Sequence, residues 1–248
     1  MSKTLIAIVN ARHRKDWRDL VRRTWMPQVP RDRADVFFFV GNGAPMEDLS
    51  DVVTLDCSDA YADLPAKVRS IVRWAQKNGY EFVLKCDDDV VLRPTAFLDS
   101  GYEKYEFSGG ANRPAMPYTV TFGFCYVLGK RSIDIMSNSP LPGNSFDDEL
   151  WVAQTLWRDQ ITLTNIGGYS LHTSPQQSGE VQIARCVHLD PPGAYTQEQK
   201  LTEFEKIFNS PAWTGVPTVH QLPHNPFPAR VYRYGADGCT VNWWDRKR

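Results

Sequence analysis

The chain has 248 residues, of which 42% are hydrophobic and 23% are charged, and its formal net charge is −1. A chain of this length can bury a substantial core, and its composition is that of an ordinary globular protein. The nearly neutral charge excludes a global attraction to nucleic acid or anionic lipid and leaves open a local basic face.

Strand-like and helix-like segments alternate through the first two-thirds of the sequence, which is the pattern of an α/β fold with a mostly parallel central sheet flanked by helices. We expect strands at Thr4–Ala11, Val36–Val40, Val52–Asp56, Phe82–Leu92, Tyr118–Leu128, Ile161–Asn165 and Val181–His188. We expect helices within Arg12–Trp25 and at Leu64–Lys77, Ser132–Met136, Phe146–Trp157 and Gln197–Phe208. Residues 1–190 should form the main domain, with 191–248 adding a helix and an aromatic, proline-rich tail packed on it.

The apolar runs and the cysteines indicate where the protein resides. No apolar run approaches the roughly twenty residues that a membrane-spanning helix needs, so we expect no membrane span. Five scattered cysteines without a Cys-x-x-Cys pair favour reduced thiols over a disulfide framework or a zinc site. These features predict a cytoplasmic protein.

Three consecutive carboxylates, Asp87, Asp88 and Asp89, interrupt a run that otherwise reads as one buried strand. Burying an unpaired carboxylate costs several kcal/mol, so the triplet needs a compensating partner. A divalent cation such as Mn²⁺ or Mg²⁺ prefers these hard oxygen ligands, and the end of a strand is where α/β folds bind ligands. The alternative is a solvated acidic turn without a function.

Basic and acidic side chains elsewhere fit the same chemistry. The guanidinium groups of the early arginines suit phosphate oxygens. Such a cluster is equally well explained as the solvated face of a helix. The arginines are Arg12, Arg14, Arg22 and Arg23. Lys67 in a first helical turn opposes the helix dipole, which hints at an anionic partner. Three acids, Asp147, Asp148 and Glu149, begin an apolar helix, either as capping residues or with one of them as a general base.

Five segments in chain order carry a family resemblance. They are Arg22-Arg23-Thr24-Trp25, Asp59-Ala60-Tyr61-Ala62-Asp63-Leu64-Pro65-Ala66-Lys67, Lys85-Cys86-Asp87-Asp88-Asp89, Gly123-Phe124-Cys125-Tyr126-Val127-Leu128 and Asp148-Glu149-Leu150. In order and spacing they resemble the β-1,3-galactosyltransferase and fringe group, family 31 of the glycosyltransferases. The resemblance spans roughly residues 12 to 157.

This resemblance implies a Rossmann-like GT-A fold, a UDP-sugar donor, Mn²⁺ and an inverting, single-displacement transfer of a hexose or N-acetylhexosamine. It makes Asp89 the metal ligand and gives Asp87 and Asp88 contacts with the ribose, the sugar or the metal. Lys67 and the early arginines, Arg12 and Arg22 among them, would border the uridine and the diphosphate. A histidine late in the chain completes the metal shell in some members, which makes His188 a candidate ligand.

The sequence departs from the family pattern at three positions. Glu149 aligns with the base position, where the family has Asp, and Asp148 lies one residue away, so both stay candidates. Cys125 replaces a glycine, which could alter a loop facing the sugar. Pro65 replaces a threonine, which a helix start tolerates.

Two other functions remain open from the sequence. A two-metal phosphoesterase or nuclease would use the acidic cluster but normally recruits further ligands near the first strand, which here ends in Asn10-Ala11-Arg12. A catalytically silent nucleotide-sugar-binding module is the other.

The acceptor is expected to be a glycan, with a hydroxylated base in viral DNA as an alternative suggested by the basic segment Arg12–Arg23. Without an anchor, a bacterial or virus-infected cell is the expected setting.

Overall fold

The computed structural model describes residues 3–43, 50–115, 117–143, 147–171, 183–187 and 196–210. The strands in these ranges are β1 (Thr4–Val9), β2 (Ala34–Val40), β3 (Val52–Thr54), β4 (Phe82–Asp87), β5 (Val90–Leu92), β6 (Phe107–Ala115), β7 (Tyr118–Leu128), β8 (Thr164–Asn165), β9 (Tyr169–Leu171) and β10 (Ala184–Cys186). The α-helices are α1 (Lys15–Arg23), α2 (Leu64–Lys77), α3 (Pro94–Leu98), α4 (Lys130–Asn138), α5 (Asp148–Arg158) and α6 (Gln197–Phe208).

The central sheet has the strand order β3-β2-β1-β4-β7-β6-β8. Strands β3, β2, β1 and β4 are parallel, whereas β7 runs antiparallel to both β4 and β6. A second sheet has the order β5-β10-β9. Because the four parallel strands end at the same edge, the loops that follow them converge there, which is where open α/β sheets bind ligands.

Strand β1 is central, and all six of its residues are buried. Successive strand residues point to opposite faces, so Ile6 packs in one core cluster with Leu20 of α1 while Leu5 packs in the other with Val68 of α2. Apolar residues on both faces therefore specify a sheet covered by helices on both sides, as the sequence pattern predicts.

Several predicted elements have the expected bounds, and one major prediction is wrong. The helix Leu64–Lys77, the strand Tyr118–Leu128 and the helix Gln197–Phe208 match the structure. The run Phe82–Leu92 is not one strand, because a turn at Asp88-Asp89 divides it into β4 and β5, which belong to different sheets. Strand β6, with two glycines and a proline, was not predicted, and its pairing with β7 overrides its weak strand propensity.

Helix α6 packs against α1. The Phe204 and Trp17 rings meet edge to face with centroids 6.1 Å apart, and Arg23 donates to Glu205 at 2.7 Å. A Thr196 capping box begins the helix.

The predicted tail after residue 210 lies outside the described residues. Among the helices of the described ranges, none has the length and apolarity that crossing a membrane requires.

Candidate active site

The aspartate triplet lies where β4 leaves the central sheet. Asp87 is the last residue of β4, and its side chain and that of Asp89 are half-buried. The Asp89 carbonyl accepts a hydrogen bond from the Val187 N–H at 2.9 Å, and the Cys186 thiol lies 3.6 Å from the Asp89 carboxylate. The turn between β4 and β5 therefore presents Asp87 and Asp89 beside the end of β10.

Asp88 has a different environment from its two neighbours. It is 4% exposed, and Arg14 donates to both of its carboxylate oxygens at 2.7 and 2.5 Å, while the Asn10 amide donates at 2.6 Å. The structure thus places Asp88 in an ion pair within the protein, and its contact with the ribose, the sugar or the metal stays a prediction. Its carboxylate points inward and ties the turn after β4 to the loop after β1.

Replacing Arg14 by methionine is expected to lower the free energy of unfolding by about 2 kcal/mol. This is less than the usual 3–5 kcal/mol for breaking a buried ion pair, because the Arg14 side chain is 34% exposed and Asn10 still donates to Asp88. Urea denaturation measures the change. Arg31→Met, at an exposed arginine, is the control, and equal midpoints for the two variants would show that the pair contributes little.

Lys85 is a buried cation beneath the triplet. It is 2% exposed, its Nζ lies 2.7 Å from Oδ1 of Asp87 and 3.5 Å from Oδ2 of Asp148, and it donates to the Gly123 carbonyl oxygen. Burial lowers the pKa of Lys85, but the charges of Asp148 and Asp87 raise it above its usual value. Lys85 therefore stays charged and links β4, β7 and α5.

The two candidate bases at the start of α5 are in different environments. Asp148 is 3% exposed and accepts a 2.8 Å hydrogen bond from the Tyr126 hydroxyl. Glu149 is half-buried, and burial together with the neighbouring charge of Asp148 raises its pKa to about 6. A carboxylate that is ionised near neutral pH yet more basic than usual suits proton abstraction. The geometry therefore favours Glu149 over Asp148.

Gly123 on β7 makes room for the Glu149 carboxylate. A Cβ on Gly123 would lie 2.8 Å from Oε2 of Glu149, too close for any real contact. Gly123→Ala is therefore expected to displace this carboxylate and to lower the rate of transfer by about tenfold or more, since small misplacements are costly in catalysis. Because the Glu149 side chain can rotate away, the free energy of unfolding should change by less than about 1 kcal/mol.

Steady-state kinetics and thermal unfolding of the Gly123→Ala variant test this expectation. Gly143→Ala is the matched control, because a Cβ at Gly143 meets no atom of the described residues within 4 Å. Full activity of a normally folded Gly123→Ala variant would mean that the position of the Glu149 carboxylate is unimportant.

The loops after β1, β2 and β3 are joined through Asp59. Its carboxylate accepts from the N–H groups of Arg12 at 2.8 Å and Gly41 at 2.7 Å, and from the Lys67 ammonium. Lys67 is 3% exposed and also donates to the Asn10 carbonyl at 2.5 Å. The Lys67 ammonium is therefore enclosed and organises these loops, and its place at the border of the uridine and the diphosphate stays a prediction.

Arg12 and Arg22 have separate locations. The Arg12 guanidinium lies at this edge of the sheet, donating to the Gly41 carbonyl at 2.7 Å and the Thr54 hydroxyl at 3.3 Å. Arg22 instead donates to both oxygens of Asp51, which precedes β3, at 2.8 and 2.7 Å. The structure therefore does not bring Arg22 to the candidate site, because an aspartate at the amino end of β3 holds its guanidinium.

Asp87 and Asp89 fit a divalent cation. Burial and the charge of Asp89 raise the pKa of Asp87 to about 7, against the opposing effect of the Lys85 ammonium, so this corner has an excess of negative charge. Oxygen ligands of this kind suit Mn²⁺ or Mg²⁺. Among the described residues, no group of three or more His, Cys, Asp and Glu side chains could hold a metal ion. The third predicted ligand, His188, lies outside the described residues.

Sequence reasoning gave no role to four residues that organise this site, namely Asn10, Asp59, Lys85 and Tyr126, although the last three lie in segments that carry the family resemblance. One of them carried a further signal in the strand pattern. Lys85 is a charge within an apolar strand, two residues before Asp87, and alternation places both on the same face. The partners of the other three depend on long-range contacts that no local pattern specifies.

Comparisons with known proteins agree with the predicted resemblance. Residues 16–106 match the family model described as Galactosyltransferase, which confirms the resemblance over that segment. No curated protein matches the chain. Solved structures share the fold, and the likeness to two of them confirms the predicted GT-A architecture.

The first of these structures is a glycosyltransferase involved in the glycosylation of the major capsid of PBCV-1. It has a TM-score of 0.53 and 12% identity and covers 83% of this chain and 100% of its own. The second is the galactosyltransferase LgtC in complex with donor and acceptor sugar analogs. It has a TM-score of 0.51 and 9% identity and covers 86% of this chain and 98% of its own.

Proposed function

We propose that this chain, a glycosyltransferase by its galactosyltransferase match over residues 16–106, moves a hexose or N-acetylhexosamine from a UDP-sugar to a hydroxyl group of an acceptor glycan. The transfer is metal-dependent and inverts the configuration of the sugar. The observation that carries this proposal is that the buried Lys85 ammonium joins two carboxylate sites: it pairs with Asp87, which lies in the aspartate triplet with Asp89, and it lies 3.5 Å from Asp148, the residue before Glu149.

The first carboxylate site is suited to the donor diphosphate. Asp89 and Asp87 are the proposed cation ligands, with His188, the next residue in the chain after Val187, as a third. When bound, Mn²⁺ or Mg²⁺ would neutralise the charge that develops on the departing diphosphate. Asp88 stays with Arg14 and keeps the turn that presents its two neighbours in place.

The loops after β1, β2 and β3 are the proposed binding site for the nucleotide. They converge at the carboxyl edge of the parallel strands, and the Asp59 carboxylate ties them together. Burial raises the pKa of Asp59, but hydrogen bonds from Lys67 and the backbone lower it below its usual value. The Asp59 carboxylate that joins the loops therefore stays ionised. Arg12, whose side chain is half-buried at this edge, is the arginine that we propose borders the uridine diphosphate.

Glu149 is the proposed general base. Its carboxylate takes the proton of the acceptor hydroxyl, the hydroxyl oxygen forms a bond to the anomeric carbon of the sugar, and the bond from that carbon to the diphosphate oxygen breaks. UDP leaves with the bonding electron pair, so the reaction needs no other co-reactant. The raised pKa of about 6 makes this carboxylate a better proton acceptor than an ordinary glutamate.

Contacts in the described residues count against the alternatives. A second metal in a phosphoesterase would need a ligand near the end of β1, but Asn10 there donates its amide to Asp88, which Arg14 already binds. The basic segment 12–23, which suggested viral DNA as the acceptor, has its arginines engaged by other groups of the protein, and of these arginines Arg23 is exposed. Their partners are Gly41 and Thr54 for Arg12, Asp88 for Arg14, Asn10 for Arg18, Asp51 for Arg22 and Glu205 for Arg23.

A donor screen tests the proposed function. The full chain is incubated with Mn²⁺ and a panel of UDP-hexoses and UDP-N-acetylhexosamines, and UDP release is measured with and without a chelator. We expect release from at least one donor, stimulated by candidate acceptor sugars and lost on chelation. Tight UDP binding without release from any donor would instead indicate a silent binding module, and cleavage of a phosphodiester without a sugar donor would indicate a phosphoesterase.

A further inference from the structure

Lys85 is the point at which three elements of the candidate site meet. Its ammonium pairs with Asp87 on β4, donates to the Gly123 carbonyl on β7 and lies 3.5 Å from Asp148, the first residue of α5. A lysine that is 2% exposed is tolerated only when such partners compensate for its lost hydration. These contacts therefore hold the three elements in one arrangement.

Tyr126 restrains Asp148 from a second direction. Its hydroxyl donates at 2.8 Å to Oδ2 of Asp148, the same oxygen that faces the Lys85 ammonium. The Lys85 Nζ also lies 5.5 Å from the centroid of the Tyr126 ring. Two groups from the sheet thus hold the first residue of α5, which leaves its carboxylate no freedom to reach an acceptor.

The next residue along α5 is Glu149, and Lys85 acts on it in two ways. First, the Lys85 ammonium holds Asp148 and thereby fixes the position of the Glu149 backbone, which follows it in the helix. Second, the ammonium binds the carbonyl of Gly123, the glycine against which the Glu149 carboxylate packs. Lys85 itself is enclosed, so its ammonium is not open to an acceptor. Its influence on the reaction has to pass through Glu149 and Asp87.

We propose that Lys85 is a positioning residue for the transfer, one whose ammonium places the Glu149 carboxylate relative to the donor site, an inference that rests on the proposed function. Removing the ammonium while keeping the length of the side chain, as in Lys85→Met, should lower kcat and leave the KM for the donor nearly unchanged. The donor KM is measured at saturating Mn²⁺, so that any weaker binding of the cation at Asp87, which Lys85 contacts, is offset. Under that condition the KM should change little, because the loops tied by Asp59 do not contact Lys85 through any described hydrogen bond.

Lys67 offers a matched comparison. It is also buried, at 3% exposure, and also pairs with an aspartate, but it organises the loops proposed to bind the nucleotide. Lys67→Met should therefore raise the donor KM with a smaller effect on kcat. If burial of a charged lysine mattered only for folding, both variants would lose stability and neither would show this split.

The kinetic experiment uses the full chain with four variants, Lys85→Met, Lys67→Met, Asp148→Asn and the double variant Lys85→Met with Asp148→Asn. For Lys85→Met we expect kcat to fall about tenfold or more per folded molecule, with the donor KM within about threefold of wild type. The double variant should be no slower than Lys85→Met alone, because both residues act through the same contact. An unchanged kcat for folded Lys85→Met, or fully additive losses, would overturn the proposal.

A second measurement does not depend on activity. The Glu149 carboxyl is titrated by NMR in the protein without ligands, where Asp148 and Asp147 on α5 raise its pKa and the Lys85 ammonium lowers it. The Tyr61 hydroxyl also faces these carboxylates. Lys85→Met should move the titration above about pH 6, and Asp148→Asn should move it in the opposite direction.

The two measurements separate the two proposals. If the wild-type protein releases no UDP from any donor, the proposed function fails, and the Glu149 titration still tests whether Lys85 sets its environment. If wild type is active and the titration is the same in Lys85→Met, only the positioning role fails. Should Lys85→Met not fold, Asp148→Asn provides the test, since an unchanged titration and kcat in that variant would contradict the contact through Asp148.

Discussion

Replacing Asp89 by asparagine is expected to lower UDP release by at least about 100-fold. The substitution keeps the shape of the side chain and removes the charge that binds the cation, and metal assistance contributes several kcal/mol to such a transition state, where each 1.36 kcal/mol is about tenfold in rate. The side chain is half-buried at the turn after β4 and is not needed for the ion pair between Asp88 and Arg14. Thermal unfolding should therefore be nearly unchanged.

The measurement for Asp89→Asn is UDP release as a function of Mn²⁺ concentration, together with Mn²⁺ affinity by titration calorimetry in the presence of UDP. Asp99→Asn is the matched control, because Asp99 is a surface aspartate paired with Arg33. We expect Asp99→Asn to behave as wild type. Wild-type activity of Asp89→Asn at limiting Mn²⁺ would show that this carboxylate does not bind the cation.

Replacing Glu149 by glutamine is expected to lower kcat by about 10²- to 10⁴-fold, the usual contribution of a general base. Glutamine retains the volume of the side chain and its packing against Gly123, so folding and donor binding should persist. Asp148→Asn should cost less, because Asp148 is buried and accepts from Tyr126. Equal losses in the two variants, or a larger loss in Asp148→Asn, would contradict the assignment of the base.

The same assignment predicts a pH dependence. Glu149 must be ionised to accept a proton, and its pKa in the protein without ligands is raised to about 6, so kcat/KM should fall as the pH decreases through about 6. An unperturbed glutamate would place this limb near pH 4.5. The profile is measured at saturating Mn²⁺ with the donor below its KM. If the residual activity of Glu149→Gln showed the same fall at low pH, that fall would come from the titration of another group and not from Glu149.

The part of the site that the sequence could predict depends on local patterns. The alternation of segments indicates a mostly parallel sheet, which the structure confirms, and three acids within an apolar run predict a ligand site where β4 ends at Asp87. The acidic start of α5 was found for the same reason. These signals lie within a few residues of one another and need no knowledge of the tertiary structure.

The remaining features depend on partners distant in sequence. Asp88 points inward because Arg14, 74 residues earlier, binds it, and Lys67 is enclosed because Asp59 and Asn10 accept from it. Cys125, expected to alter a loop facing the sugar, instead lies in β7, buried and paired in register with Cys86. No pattern of residue types distinguishes these inward side chains from exposed ones, since charge and spacing are the same in either case.

The most direct test of cation-assisted binding of a UDP-sugar is a crystal structure of the wild-type protein soaked with Mn²⁺ and UDP. We expect an anomalous peak at the Asp89 carboxylate, with the diphosphate bound to the same ion and the uridine along the loops that follow β1, β2 and β3. An empty carboxyl edge under saturating conditions, or both ligands bound elsewhere on the molecule, would contradict this expectation.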